Sequence, residues 1–182
     1  MGLNLTGELE DLRFDSILGE TAKYEGGYTE EMEQPTNLGV TQDTYDSYRK
    51  EEKLPLQDVK NIEGEEAKNL YHRNYYVKPQ FNKLTDGLAE IMFDFGVHSG
   101  PARATKALQK TIGTKEDGKI GPKTLKATEK YIEENGEKET IQKVVDDRVE
   151  LMRKLIKDKP EKYKKYENGW KDRIKNIKSK FD

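Results

Sequence analysis

Residues Thr85–Gly100 read TDGLAEIMFDFGVHSG, and their spacing decides the fold class. Leu88, Ile91, Met92 and Phe95 recur at intervals of three and four, the period of a helix with a broad apolar face. Thr85 stands where an N-cap belongs. The segment to about Val97 is therefore expected to be the central core helix. Asp94 sits on that apolar helix, where a carboxylate needs a partner, either Arg73 or a backbone amide; its expected role is structural. His98 reads as a hydrogen-bonded helix-end residue.

Working outward, helical signals continue on both sides. Ser99-Gly100-Pro101 opens a helix with Pro101 near its first turn and Ala104, Ala107 and Leu108 facing inward. GTKEDGKIGP (113–122) is Gly-rich and predicts a tight hairpin between helices. Pro122 begins a helix to about Glu134. Residues 137–158 form a long amphipathic helix carrying Ile141, Val144, Val145, Val149, Met152, Leu155 and Ile156. Residues 162–180 form a last, Lys-rich helix in which Trp170 is expected to pin the helix to the body. Upstream, GEEAKNLYHRNYY (64–76) predicts one helix closed before Pro79. Thr41 predicts the cap of a helix to about Lys53. Residues 8–24 predict a first helix with Leu9, Leu12, Ile17 and Leu18 on its face, stopped at Gly26. Residues 28–40, with Pro35 and Gly39, have no helical period and predict a short hairpin or loop. The expected fold is mainly α, with at most a small β-hairpin after the first helix.

The chain has 182 residues, enough for one compact domain with or without a small appendage. Charged residues make up 37%, yet 33 Lys/Arg nearly balance 35 Asp/Glu, and near-balance with clear periodicity argues against disorder. The absence of cysteine excludes disulfides, thiolate catalysis and zinc–cysteine sites, and two histidines make a histidine-built metal site or triad an unpromising reading. No cofactor or metal is expected. The first twenty residues lack a basic start followed by an apolar run, so no signal peptide is predicted and synthesis in the cytoplasm is expected. Lys157–Asp182 holds ten Lys/Arg and five Asp/Glu, a net +5 in a chain of net −2. A basic end on an acidic body suggests an anionic partner such as an envelope surface. No nucleic-acid partner is expected, and the chain is expected to act as a monomer.

The chemistry points to KYEGGY (23–28). A carboxylate closing a helix meets the negative end of the helix dipole, which raises its pKa, and cover from Tyr24 and Tyr28 would raise it further. Glu25 would then hold a proton near neutral pH, as a general acid must in order to protonate a leaving glycosidic oxygen. Gly26 and Gly27 allow a sharp turn and leave room beside the carboxyl. The competing reading is an ordinary surface glutamate before a glycine C-cap.

EGGY followed by NLGVT (37–41) resembles the start of the glycoside hydrolase family 108 muramidases, peptidoglycan-cleaving enzymes of phages and bacteria. YHRNYYVKP (71–79) looks like that family's Y-x-R-x-Y-W segment. FDFGVHSGPARATKALQKTIG (93–113) with EDGKIGPKTL (116–125) resembles its peptidoglycan-binding module, and ENGWKDRI (167–174) its terminal GW-x-x-R motif. Together these cover roughly residues 9–176. The resemblance implies a lysozyme-like helical fold with Glu25 as the catalytic acid. TEEMEQPTN (29–37) is shorter than the family's passage, with no Asp and no Gly-Gly; Glu33 is the first choice for the second carboxylate, with Glu30 and Glu31 as alternatives. Thr36 or Thr41 could hold a water, although Thr41 also suits a helix cap. The family's asparagine near DFGV is here His98. Tyr28, Tyr71, Tyr75 and Tyr76 are candidates for stacking on sugars, core packing being the alternative; at spacings of one and four, Tyr71, Tyr75 and Tyr76 cannot all face inward.

The resemblance thus implies an endolysin-type muramidase cutting the β-1,4 bond between N-acetylmuramic acid and N-acetylglucosamine of peptidoglycan. Its expected organisation is a catalytic part, residues 1–98, and a helical peptidoglycan-binding-like part, residues 99–182, packed into the same globular domain. Release to the cell wall through a holin would follow the family's habit. A lytic transglycosylase and a non-catalytic wall-binding protein are the rival readings.

Overall fold

The structure, a computed structural model that describes residues 12–19 and 36–181, divides into two units, Met1–Lys78 and Pro79–Asp182. It is mainly α-helical with one two-stranded antiparallel hairpin after the first helix.

In the first unit, helix α1 (12–19) buries Phe14 and Ile17, while Leu12 is 67% exposed. Of the expected apolar line, Leu9 lies outside the described residues, Ile17 is buried and Leu18 half-buried as expected, and Leu12 points outward while Phe14 takes an inward place, because the aromatic ring removes more area from water. Phe14 packs edge-on to His72, with centroids 4.7 Å apart, and beside Tyr76. Strands β1 (Thr36–Asn37) and β2 (Val40–Thr41) pair in the register Thr36↔Thr41 and Asn37↔Val40. Leu38 and Gly39 join them at φ 50° and 75°. Two consecutive left-handed residues make the turn type whose twist matches a two-residue hairpin. Glycine adopts this conformation without strain and leucine does not.

Thr41 ends β2 and caps helix α2 (Gln42–Glu51): its Oγ1 accepts from the Thr44 amide at 3.4 Å. After a 3-10 turn at Val59–Asn61 comes α3 (Gly64–Tyr71), which passes directly into a π-helical stretch, His72–Val77. The sequence predicts a single helix over 64–76. In an α-helix residues five apart lie roughly 140° around the axis. The wider i→i+5 closure brings them back toward one face, and Tyr71 and Tyr76 are both buried.

In the second unit, α4 (Asp86–Ser99) is buried on most sides, from Leu88 and Ala89 through Ile91 to Gly96, as befits a central helix. The other helices of the unit are α5 (Pro101–Thr111), α6 (Pro122–Asn135), α7 (Glu137–Asp158), the short α8 (Pro160–Tyr163) and α9 (Glu167–Phe181), of which α5 and α7 pack most extensively on α4. Helix α7 contacts α4, α5, α6 and α9 and so acts as the spine. Among the described residues no helix is long and apolar enough to cross a membrane.

The Gly-rich link between α5 and α6 forms no strands, contrary to the hairpin that its composition suggests. A side chain shapes it instead. Gln109, 1% exposed, donates from Nε2 to Asp117 Oδ1 at 2.8 Å and to the Lys119 carbonyl at 3.0 Å, while its Oε1 accepts from the Gly118 amide at 2.9 Å. Gly118 has φ 76°, and a Cβ there would lie 3.2 Å from the Ala102 carbonyl, so position 118 needs glycine on both counts.

Candidate functional site

Glu25, Tyr28 and Glu33, with the alternatives Glu30 and Glu31, lie outside the described residues. The structure describes the hairpin that follows them. Its two threonines, Thr36 and Thr41, face each other across the strands; Thr36 is buried and Thr41 partly so. Thr41 Oγ1 also lies 3.0 Å from Thr44 Oγ1, so its hydroxyl serves the helix cap.

The hairpin is tied down at its turn. Asn37 donates from Nδ2 to the Lys60 carbonyl at 3.1 Å. Tyr71 donates its hydroxyl to the Leu38 carbonyl at 3.0 Å, at the apex of the turn. Behind it, Gln42 bridges α2 and the 3-10 turn, accepting from the Val59 amide at 2.7 Å and donating to the Gln57 carbonyl at 2.9 Å. The fully buried Tyr45 donates to Glu66 at 2.6 Å and accepts from Arg49 at 2.9 Å and from Gln57. Arg49 also reaches Glu66 at 2.6 Å. Burial, and next the Glu66 carboxylate, push the Tyr45 phenol above its ordinary pKa, so it stays a donor.

Of the three described tyrosines among the four stacking candidates, Tyr76 is fully buried against Phe14 and His72 and offers no ring face to a sugar, which corrects its assignment as a binding residue. Tyr71 is 6% exposed and spends its hydroxyl on the turn. Tyr75, half-buried and 5.6 Å from the Tyr71 ring, retains partial access to solvent.

In the second unit Asp94 meets two arginines that sequence reasoning did not pair with it. Arg148 donates from Nη1 to Oδ2 at 2.5 Å; Arg173 donates from Nη2 to Oδ1 at 2.7 Å and from Nε to Oδ2 at 3.2 Å. Arg148 is fully buried, and Asp94 and Arg173 are each 5% exposed. Burial alone would raise the Asp94 pKa; Arg148 and then Arg173 outweigh it and hold the carboxyl below the usual range. The partner is thus not Arg73, which pairs with Glu51 and Glu52. A signal for the right partners exists: Arg148 lies on the stripe Ile141, Val144, Val145, Met152, and Arg173 beside Ile174 and Ile177. A cation on an apolar stripe requires a buried anion.

His98 bonds through Nδ1 to Ser99 Oγ at 3.0 Å and meets Trp170 edge-on with centroids 5.3 Å apart. Burial first, then the positive charges of Arg148 and Arg173, lower its pKa to about 3, so it is neutral at ordinary pH. Trp170 stacks in turn on Tyr166, holding α9 against α4 as the sequence suggests. Among the described residues, no cluster of three or more His, Asp or Glu could hold a metal ion.

The comparisons divide the chain between two families. Residues 18–100 match the family model described as Glycosyl hydrolase 108, and residues 103–175 match that described as Predicted Peptidoglycan domain. The solved structure of Brucella abortus SagA matches with a TM-score of 0.75 at 28% identity, covering 92% of each chain. No curated protein sequence matches.

Proposed function

Through residues 18–100 the chain belongs to the glycosyl hydrolase 108 family, and from this premise we propose that it is a muramidase. It is a glycoside hydrolase that acts on peptidoglycan. The bond we assign is the β-1,4 link from N-acetylmuramic acid to N-acetylglucosamine. The observation that carries this is the continuity of the family match across EGGY, with Glu25, and the hairpin NLGVT that Tyr71 and Asn37 fix in place.

In this reading Glu25 protonates the leaving glycosidic oxygen. Glu33, eight residues on, stabilises the oxocarbenium ion or activates water, the two-carboxylate arrangement of glycosidases. Thr36 and Thr41 could position that water; a hydroxyl has more than one hydrogen-bonding site, so Thr41 can cap α2 and still bind it. Tyr28 and Tyr75 line the sugar path, with Tyr71 supporting the turn. The catalytic part is residues 1–98, and residues 99–182 hold the wall. No cofactor takes part, and the monomer is the active form. After synthesis in the cytoplasm the protein reaches the wall as a phage endolysin does, through a holin. The basic end of the chain offers an anionic envelope surface fewer charges than its composition promises, because Lys178 pairs with Asp146 and Lys180 with Glu90.

Mass spectrometry of digested sacculi tests the reading. Hydrolysis yields reducing muropeptides that contain the added water; anhydro sugars instead would make the protein a transglycosylase, and no release would make it a binding protein only. Glu33→Gln is expected to lower the rate more than Glu30→Gln or Glu31→Gln. Equal small losses at all three would move the second acid out of this loop.

A further inference from the structure

A groove of about 830 Å³ runs between α5 and α7, within the residues matched by the predicted peptidoglycan domain but for Phe95 in its floor. Ala107 and Leu151 complete that floor. Among the described residues, six cations line the groove against four acids, a positive balance in a chain of net −2. Part of this charge is already spent: Lys110 pairs with Asp147 at 2.5 Å and Glu150 at 3.6 Å. Among the described residues, Arg103, Lys106, Arg153, Lys154 and Lys157 have no acidic partner within ion-pair distance, and neither Glu116 nor Asp158 has a basic one.

Unpaired charges of both signs along one groove select among the parts of peptidoglycan. The N-acetylated sugars of the glycan carry no charge once the lactyl group is amide-linked. The peptide stem carries free carboxylates and, on its diamino residue, an ammonium. Sugar sites also present aromatic faces, and the one aromatic ring among the described lining residues, Phe95, is 1% exposed. The volume falls within the range of pockets that hold small ligands.

We propose that this groove binds the peptide stem of peptidoglycan, its cations taking the stem carboxylates and Glu116 or Asp158 the ammonium. This rests on the reading that the chain acts on peptidoglycan and adds which part of the polymer the second unit grips. Contacts of this exposed kind are individually weak, so selectivity comes from several together, and binding weakens as salt screens them.

The test is calorimetric titration of the full chain with the free stem tetrapeptide, its methyl ester and the peptide-free disaccharide. The tetrapeptide is expected to bind, and its ester at least about fivefold more weakly. The double variant Lys154→Glu, Lys157→Glu is expected to lose a similar factor for the tetrapeptide, with the same far-UV circular dichroism and melting temperature as the unaltered chain. Absence of tetrapeptide binding, or equal binding of the ester, overturns the proposal without reliance on any variant. Equal binding by the folded double variant also overturns it. Digestion of sacculi by the unaltered chain is measured in parallel. Sacculi digested without stem binding overturn the groove alone; stem binding without digestion supports the groove and overturns the muramidase reading.

Discussion

Tyr45 in the first unit and Asp94 in the second are both buried polar side chains with several partners, yet they are built differently. Tyr45 is satisfied by Arg49, Gln57 and Glu66, all within 21 residues of it in the chain. Asp94 is satisfied by Arg148 and Arg173, 54 and 79 residues away. The first arrangement stiffens a turn-rich platform from close by. The second joins three helices of one unit, α4, α7 and α9, at one ionised point. Short-range hydrogen bonds can be lost singly, each at modest cost. Removing the Asp94 carboxylate takes from two buried guanidiniums an ion-pair partner whose loss burial makes costly.

The two units should differ first in activity. Glu25→Gln keeps the side chain's shape but cannot donate a proton, and general acid catalysis is worth ~10²–10⁴-fold. Release of muropeptides from sacculi should fall by at least that much, with both units still folded by circular dichroism. Near-full activity would remove the chemistry from the first unit altogether.

The second test acts on the ionised point. Asp94→Ala is expected to destabilise the helical unit by ~3–5 kcal/mol, read as a lower urea midpoint. A loss no larger than that of a single neutral hydrogen bond would show that water reaches and solvates these charges.

The third uses pH. His98 has a folded pKa of about 3 against an ordinary 6.5, facing Asp94, Arg148 and Arg173. As pH falls below 6.5 the unfolded chain takes up a proton that the folded chain refuses, so stability declines down to about pH 3, by up to about 1.4 kcal/mol per pH unit. Asp94, held below its ordinary pKa, adds a further loss below about pH 4. Urea unfolding at a series of pH values should show the upper limb, and His98→Asn should flatten it between pH 6.5 and 4.

Smaller effects belong to the hairpin. Tyr71→Phe removes the bond to the Leu38 carbonyl and is expected to cost ~1 kcal/mol, with faster amide exchange at Val40. Leu38→Asn supplies a residue that accepts the left-handed conformation ahead of Gly39 and should stabilise the hairpin by about 0.5 kcal/mol. A loss of stability there would mean that the leucine side chain, 38% exposed, makes a contact worth more than the strain.

The sequence discloses the elements with local causes and hides those set by distant neighbours. The core helix at 86–99, the Thr41 cap, the hairpin at 36–41 and the long helix at 137–158 are legible because each rests on local periodicity or turn chemistry. The π-helical turn at His72–Val77 is not, since its cause is the joint burial of Tyr71 and Tyr76 against tertiary neighbours. The need of Asp94 for a partner is legible from its apolar surroundings; the identity of that partner is not, because nothing local links positions 94, 148 and 173. The candidate catalytic residues were reached through glycine punctuation and motif order around Glu25. The burial of Tyr76 is not legible, because aromatic identity alone does not tell a stacking ring from a core ring.

Gln109 carries a different consequence, one of chemical ageing. Its amide nitrogen donates to the Asp117 carboxylate and the Lys119 carbonyl, and the shape of the loop before α6 follows from that polarity. Deamidation would replace the nitrogen with an oxygen of nearly the same size, so sterics would not register the change. Electrostatics would: both acceptors would then face another acceptor, and the new carboxylate would confront Asp117. At 1% exposure the folded chain shields this amide from water. Loss of the loop through ageing should therefore track the fraction of time the helical unit spends open, making the shelf life of this link a clock for unfolding rather than for surface chemistry.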